Sequence, residues 1–250
     1  MVLLIRHALT DATGKRLSGQ APGIHLSDQG REQAKRLAER LAPIPLAAIY
    51  SSPLERCMET AEAVVVGRPL GVQTVQDLIE VGYGRWTGRP MAALVRTSLW
   101  SKIQQAPSSV RFPEGETLTE VQRRSAKAID AIAERHPRAV VGVCSHADVI
   151  RLLLAHYAGV HIDLFQRLII SPVSVSAVLL GDRIPRIVRM NDTGTLGDLT
   201  GSRRPAARGP GRRAPVTRDP NRPALRRPGS RRPAAGDLKR TRPTGRDVGS

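Results

Sequence analysis

Short apolar runs alternate with amphipathic stretches through the first 200 residues of this 250-residue chain. Apolar runs of strand length occur at residues 2–5, 46–50 and 139–144, and the pattern of the segment after each run predicts a helix. Strands buried on both faces have such continuous apolar sequences, and strands separated by helices build parallel sheets. The pattern therefore predicts a three-layer α/β/α sandwich with a mostly parallel sheet.

Helix boundaries are marked by capping residues. Apolar residues at helical spacing predict a helix from Ser27 to Leu41, capped by Ser27 or Asp28. Ser52-Pro53-Leu54-Glu55 and Thr117-Leu118-Thr119-Glu120 both have the capping-box pattern and predict helices to about residues 66 and 135. A further helix is expected over 148–157, and strands over 72–75, 173–180 and 184–190. Residues 78–111 lack a clear period and receive no assignment.

The composition changes near residue 200. The net charge of the chain is +17, and residues 201–250 hold 15 basic and 3 acidic residues, 8 prolines and no aromatic residue. Such a segment lacks the apolar surface needed to offset the entropy of ordering. We predict a domain over 1–199 and a disordered basic tail over 200–250. Weak, non-specific association of the tail with polyanions is expected, because aromatic residues for base stacking are absent.

No apolar run reaches the length of a membrane span, and residues 2–5 are too short for the core of a signal peptide. These features predict a cytoplasmic protein without membrane association. The two cysteines, Cys57 and Cys144, suggest neither a disulfide framework nor a metal site. Burial is expected for both, with a thiol perturbed by nearby cations as the alternative. The sequence leaves the oligomeric state open.

Charged and imidazole side chains follow the apolar strands. Arg6 and His7 end the first strand, and Ser145-His146 end the run over 139–144. In α/β sheets the ligand crevice lies outside the carboxyl ends of the strands, so both histidines are expected to face one pocket. Arg56 lies in the first turn of a helix that also follows a strand, where backbone N–H groups and a guanidinium together suit an anion. Two arginines and two histidines in one crevice suit a phosphoryl group.

Seven motifs in this order resemble the histidine phosphatase superfamily, also called phosphoglycerate mutase-like, over about residues 2–195. They are Arg6-His7-Ala8, Leu26-Ser27-Asp28-Gln29-Gly30, Ser51-Ser52-Pro53-Leu54-Glu55-Arg56, Leu78-Ile79-Glu80, Gly84-Arg85-Trp86-Thr87-Gly88, Gly115-Glu116-Thr117 and Ser145-His146-Ala147. The resemblance implies a phosphoric monoester hydrolase of the histidine acid phosphatase type. It implies a small phosphorylated substrate and neither a metal nor a cofactor.

The resemblance also implies roles for individual residues. His7 matches the nucleophile that becomes phosphohistidine. Glu80 matches the acid that protonates the leaving oxygen and then assists the attacking water, so it must first be protonated. The remaining matches are catalytic or substrate-binding residues around the phosphate, namely Arg6, Arg56, His146, Thr13 and Ala147.

Two positions depart from the family's pattern. Ala8 replaces a glycine, and Thr13 stands where the family often has an asparagine. A catalytically weak phosphate-binding protein on the same fold therefore stays an alternative. A phosphoglycerate mutase-type phosphotransferase is another, although only 34 residues separate Glu80 from Gly115, with no room for the long basic insertion of cofactor-dependent mutases. The leading prediction is a metal-independent phosphatase.

Overall fold

The computed structural model describes residues 1–181 and 184–194, which form a six-stranded sheet covered by helices on both faces. The order across the sheet is β3-β2-β4-β1-β5-β6. The strands are β1 (Val2–Arg6), β2 (Leu46–Ser51), β3 (Val72–Thr74), β4 (Val140–Ser145), β5 (Val175–Leu179) and β6 (Arg186–Asp192). The first four are parallel to one another, and β5 and β6 are antiparallel additions. The predicted three-layer, mostly parallel fold is confirmed.

Alternate residues of β1 enter two separate cores, as the period of two in a strand requires. Leu3 and Ile5 pack in the core beneath helices α1 (Asp28–Leu41) and α2 (Glu55–Val65). Val2 and Leu4 pack on the opposite face in the core beneath α5 (Leu118–Arg135) and α6 (Ala147–Ala158). A strand buried on both faces can therefore be apolar throughout, which explains the run that begins the sequence.

The register of β1 against β4 brings two distant segments together. These strands are parallel, and Arg6 lies opposite Ser145. The next residue on each strand is a histidine, so His7 and His146 emerge side by side from the carboxyl edge of the sheet. The His7 backbone N–H also donates to the Ser145 carbonyl at 3.0 Å, which continues the ladder one step beyond β1.

Two of the three predicted helix caps are confirmed, and one is wrong. Ser27 caps α1 by accepting from the Gly30 N–H, and Thr117 and Glu120 form the predicted capping box of α5. The capping box predicted at Ser52 is wrong, because α2 begins only at Glu55.

Sheet and loop contacts occupy the groups that the Ser52 capping box would need. The Ser52 N–H donates to the carbonyl of Cys144 at 2.9 Å, and the Ser52 hydroxyl lies 2.8 Å from Nε2 of His146. The Glu55 carboxylate accepts from the Gly23 N–H instead of from Ser52. Tertiary partners therefore outcompete the local cap.

Residues 78–111, which the sequence left unassigned, contain two short helices and several 3-10 turns. The helices are α3 (Met91–Leu94) and α4 (Ser98–Gln105). The segment contributes Leu78, Val81, Tyr83, Trp86 and Leu94 to the core on the α5 and α6 side. Its buried side chains come from short helices and turns with different orientations, which explains why no single hydrophobic period runs through the segment.

The predicted disordered tail over 200–250 lies outside the described residues. Within residues 1–181 and 184–194, no helix is long and apolar enough to cross a bilayer.

Gly30 packs closely against the backbone of the segment that follows His7. A Cβ at Gly30 would lie 2.0 Å from the Leu9 carbonyl oxygen. We expect Gly30→Ala to displace Leu9 and to lower the free energy of unfolding by about 1–3 kcal/mol, the usual effect of overpacking. Urea unfolding measures this change. Gly71→Ala is the matched control, since nothing lies within 4 Å of a Cβ there. Equal stability of the two variants would contradict the assigned contact.

Candidate active site

A cavity of about 390 Å³ opens at the carboxyl edge of the sheet. The loop after β1, the segment after β3 and the N-terminal parts of α2 and α6 contribute its walls. Of the predicted site residues, six line it, namely Arg6, His7, Thr13, Arg56, Glu80 and Ala147. The structure therefore brings together residues that lie up to 141 positions apart in the sequence.

His7 is almost fully buried, and its protonation follows from one contact. Its Nδ1 lies 2.7 Å from the carbonyl oxygen of Ala8. A carbonyl can only accept, so Nδ1 carries the proton and Nε2 of the neutral ring keeps its lone pair. Burial, with Arg56 and Arg6 nearby, lowers the pKa of His7 from 6.5 to about 3. The ring is therefore neutral and nucleophilic at Nε2 throughout the physiological pH range.

Arg6 and Arg56 supply the positive charge around His7. Nη1 of Arg6 donates to the Ile170 carbonyl at 2.7 Å, and Nη2 of Arg56 donates to the Gly19 carbonyl at 2.8 Å. Arg56 is only 1% exposed. Arg6 Nε and Arg56 Nη1 are buried without a hydrogen-bond partner among the described residues. Two anchored guanidiniums with remaining donors form a suitable binding site for an anion with several oxygens.

His146 is fully buried against His7, and the two ring centroids are 5.3 Å apart in an edge-to-face arrangement. Burial, and then Arg56, lowers the pKa of His146 well below its usual value, so this ring is also neutral. Nδ1 of His146 is 3.9 Å from the Glu80 carboxylate. His146 is not among the residues that line the cavity. Direct contact between His146 and a phosphate stays a prediction.

Glu80 has a pKa raised from 4.5 to about 7, first by burial and then by the charge of Asp148. Its Oε1 accepts from the Val81 N–H at 3.0 Å, while Arg56 and Arg6 oppose the increase. A carboxyl with such a pKa holds its proton at neutral pH in part of the molecules, as a general acid requires.

Sequence reasoning missed a cluster formed by Tyr83, Asp148 and Arg151. The Tyr83 hydroxyl donates to the Asp148 carboxylate at 2.6 Å, and Arg151 donates to its other oxygen at 2.8 Å. All three side chains line the cavity. Asp148 and Arg151 are three residues apart on the first turn of α6, directly after His146, and this spacing was the available signal.

The two departures from the family's pattern are accommodated. Ala8 is fully buried, its N–H donates to the Thr60 hydroxyl, and its φ is not positive, so a glycine is not required there. The Thr13 hydroxyl accepts from the Thr10 N–H at 3.0 Å and lies in the cavity wall. Its own hydrogen can still be donated to a bound oxygen.

Both cysteines are buried, as predicted. Burial raises the pKa of Cys144 well above its ordinary value, which keeps this thiol protonated. The Cys57 sulfur lies 3.4 Å from Nε2 of His146. In the part of the chain that the structure describes, no three His, Cys, Asp or Glu side chains are grouped as a metal site requires.

An anion site with a nucleophilic imidazole at the carboxyl edge of an α/β sheet defines a phosphoryl-transfer class of protein. The model of the histidine phosphatase superfamily (branch 1) matches residues 2–193, and the chain belongs to that superfamily. The resemblance predicted from the motifs is confirmed. Proteins named as phosphatases are among its relatives, and the relatives' names do not agree on one substrate.

Three comparisons illustrate the range of similar proteins. The chain is 29% identical over 203 residues to phosphoserine phosphatase 1 of Hydrogenobacter thermophilus, covering 79% of this chain and 95% of that protein. It is 29% identical over 180 residues to the probable phosphoglycerate mutase GpmB of Yersinia pestis, covering 71% and 83%. The solved structure of Bacillus stearothermophilus YhfR has 28% identity and a TM-score of 0.72, covering 76% of this chain and 96% of that one.

The raised pKa of Glu80 has a consequence for stability. A group with a higher pKa in the folded state stabilises the fold below its unfolded pKa, and this contribution disappears as the pH rises through the folded value. We expect Glu80→Gln to raise the melting temperature relative to the native chain at pH 8 and to change it much less at pH 5. Glu134→Gln, at an exposed position, serves as the control. If Glu80→Gln were destabilising at pH 8, Glu80 would be ionised in a stabilising contact.

Proposed function

We propose that this protein is a metal-independent phosphatase that hydrolyses small phosphate monoesters through a phosphohistidine at His7. The observation that carries the proposal is the hydrogen bond from His7 Nδ1 to Ala8, which leaves Nε2 unprotonated between two arginines. In the first step Nε2 bonds to phosphorus, and the bond from phosphorus to the ester oxygen breaks. Arg6 and Arg56 bind the phosphoryl oxygens and stabilise the charge that develops on them.

Glu80 supplies the proton for the first step. Its carboxyl proton passes to the leaving oxygen, so the alcohol departs neutral and Glu80 becomes a carboxylate. The pKa of about 7 supports this order, since Glu80 is protonated on the acid side of neutrality. We therefore expect hydrolysis to be faster on the acid side of neutrality, in keeping with a phosphatase of the acid type.

The second step releases phosphate. A water molecule attacks phosphorus, Glu80 takes a proton from that water, and the bond from phosphorus to Nε2 breaks. His7 and Glu80 return to their initial states, so the cycle consumes one water and one ester. Thr13 and the backbone N–H of Ala147, at the first residue of α6, are proposed to donate to phosphate oxygens. We propose that His146 supports His7 by ring contact, besides its predicted contact with phosphate.

The segment after Glu80 favours hydrolysis over a mutase reaction. A mutase must hold the phosphorylated intermediate and return the group to a carboxylate-bearing acceptor, for which basic residues above the site are suitable. The residues of this segment that line the cavity, Tyr83 and Met91, are uncharged, whereas its basic residues are exposed, namely Arg85, Arg89, Arg96, Lys102 and Arg111. Arg85 and Arg111 also pair with Glu114 and Glu120. The phosphatase name of one relative that covers most of this chain points the same way.

His7→Ala is expected to lower turnover of 4-nitrophenyl phosphate by several orders of magnitude, because no other nucleophile is held between Arg6 and Arg56. Steady-state hydrolysis with and without EDTA measures this, and chelation should change the native rate little. His156→Ala, an exposed histidine on α6, is the control. Persistent activity of His7→Ala, or no phosphohistidine after acid-free quenching of the native enzyme, would overturn the mechanism.

Glu80→Gln is expected to slow alkyl phosphates far more than 4-nitrophenyl phosphate, since nitrophenolate leaves without a proton. In the native enzyme, the ratio of kcat/KM for ethyl phosphate to that for the nitrophenyl ester should fall as the pH rises above about 7, where Glu80 loses its proton. The same ratio measured in Glu80→Gln gives the contribution of the two esters' own ionisations, which differ. An equal loss for both esters in Glu80→Gln would assign Glu80 a structural role.

A further inference from the structure

The aromatic residues of this chain are concentrated beside the catalytic cavity. The sequence contains two Trp, two Phe and three Tyr. Five of these seven line one adjacent cavity, which we call the aromatic pocket, namely Tyr83, Trp86, Trp100, Phe112 and Phe165. A chain with so few aromatic residues places them at one site, whereas its other cores are built from aliphatic side chains.

The aromatic pocket has a largely apolar wall and a volume of about 300 Å³. Trp86 stacks on Trp100 with 6.3 Å between ring centroids, and Phe112 meets Trp86 and Tyr83 edge to face at 5.7 and 4.9 Å. Trp100 is half-buried, whereas the other four aromatic side chains are almost fully buried, so the pocket is a partly open cleft in the surface of the core. Apolar cavities with a few polar groups at the border are typical of small-molecule sites.

The aromatic pocket and the catalytic cavity are neighbours. They share five lining residues, which are Leu17, Tyr83, Met91, Asp148 and Arg151. A phosphate held by Arg6 and Arg56 would have its ester oxygen in the catalytic cavity, and the alcohol portion would extend past these shared residues towards the aromatic pocket. Glu80, the proposed proton donor to that oxygen, also lines the catalytic cavity.

The shared wall itself offers no unpaired charge to a leaving group, although Arg16 lines the catalytic cavity beside it. Asp148 and Arg151 are paired with each other at 2.8 Å, and Asp148 also accepts from Tyr83. Neither side chain has an uncompensated charge to offer a carboxylate or an amine. A group entering the aromatic pocket must give up its hydration, which is favourable for a hydrocarbon and costly for an ion.

We propose that the aromatic pocket binds the alcohol portion of the substrate, and that the preferred substrates are monophosphate esters of alcohols that carry an aromatic ring or a comparable uncharged apolar group. The inference rests on the proposed phosphatase function and specifies its substrate class. Burial of a ring is expected to improve binding about 10- to 100-fold over the matched alkyl compound.

Binding without turnover tests the proposal directly. Trp86 and Trp100 are the only tryptophans and both line the aromatic pocket, so intrinsic fluorescence reports on it. The full-length protein is titrated with benzyl-, 2-phenylethyl- and 3-phenylpropylphosphonate, each against methyl-, ethyl- or propylphosphonate of the same chain length. At least one aryl compound should bind about 10-fold or more tighter than its partner. Equal affinities at all three lengths would overturn the inference.

Two variants of the aromatic pocket test whether the preference for aryl compounds arises there. Trp100→Ala and Met91→Ala, both half-buried, are expected to reduce the aryl-to-alkyl affinity ratio several-fold, with Trp86 as the remaining reporter in the first. Lys102→Ala, an exposed position on the same helix as Trp100, is the control and should keep the native ratio. If both pocket variants kept the native ratio, the aryl group would bind elsewhere and the proposal would be wrong.

Turnover separates this inference from the proposed function. Hydrolysis of 2-phenylethyl and ethyl phosphate is compared, since their alcohols differ little in acidity and kcat/KM then reports leaving-group binding. Hydrolysis of both esters with no aryl preference would reject the aromatic pocket and leave the phosphatase intact. Aryl-selective phosphonate binding without hydrolysis of either ester would support the aromatic pocket and reject the phosphatase.

Discussion

The parallel pairing of β1 with β4 is the constraint on which the site depends. Its register sets Arg6 opposite Ser145, and the histidines that follow each strand therefore meet beyond the sheet edge. Neither histidine could be placed by its own loop alone. Because both strands are buried on two faces, a slip of one residue would turn every apolar side chain to the wrong core. The packing that stabilises the sheet thus also fixes the relative position of the two imidazoles.

Much of the fold was predictable because it depends on local pattern. The apolar runs gave the strands within one or two residues, and the Thr117 capping box located α5. The capping box predicted at Ser52 is wrong because the Ser52 N–H pairs with Cys144 of β4 and the Glu55 carboxylate pairs with Gly23. Local sequence does not reveal such distant partners. The positions of Arg6 and His7 in the cavity wall could be anticipated from the strand ends, whereas those of Tyr83 and Trp100 beside the site could not. They lie in a segment whose short pieces share no period.

Burial sets the protonation states that a two-step displacement needs. Removal from water disfavours the charged form of any group, so it lowers the pKa of His7 and raises that of Glu80. At neutral pH the proposed nucleophile is thereby neutral, and the proposed acid in the same cavity keeps its proton in part of the molecules. The positive charges of Arg6 and Arg56 lower the pKa of His7 further and also lower the pKa of Glu80. The negative charge of Asp148 raises the pKa of Glu80 and so opposes the two arginines there. Asp148 thus has an electrostatic role in the site although no motif marked it.

The two halves of the site are built from different kinds of structure. Phosphate chemistry depends on strand ends and helix starts, which the sheet holds in a fixed register. The proposed leaving-group side depends mainly on residues 78–112, where short helices and turns present four of the five aromatic side chains of the aromatic pocket. Loops on a rigid scaffold can change without disturbing the chemistry beneath them. The relatives of this chain carry both phosphatase and mutase names, and we expect the residues of the aromatic pocket to determine which substrate this chain prefers.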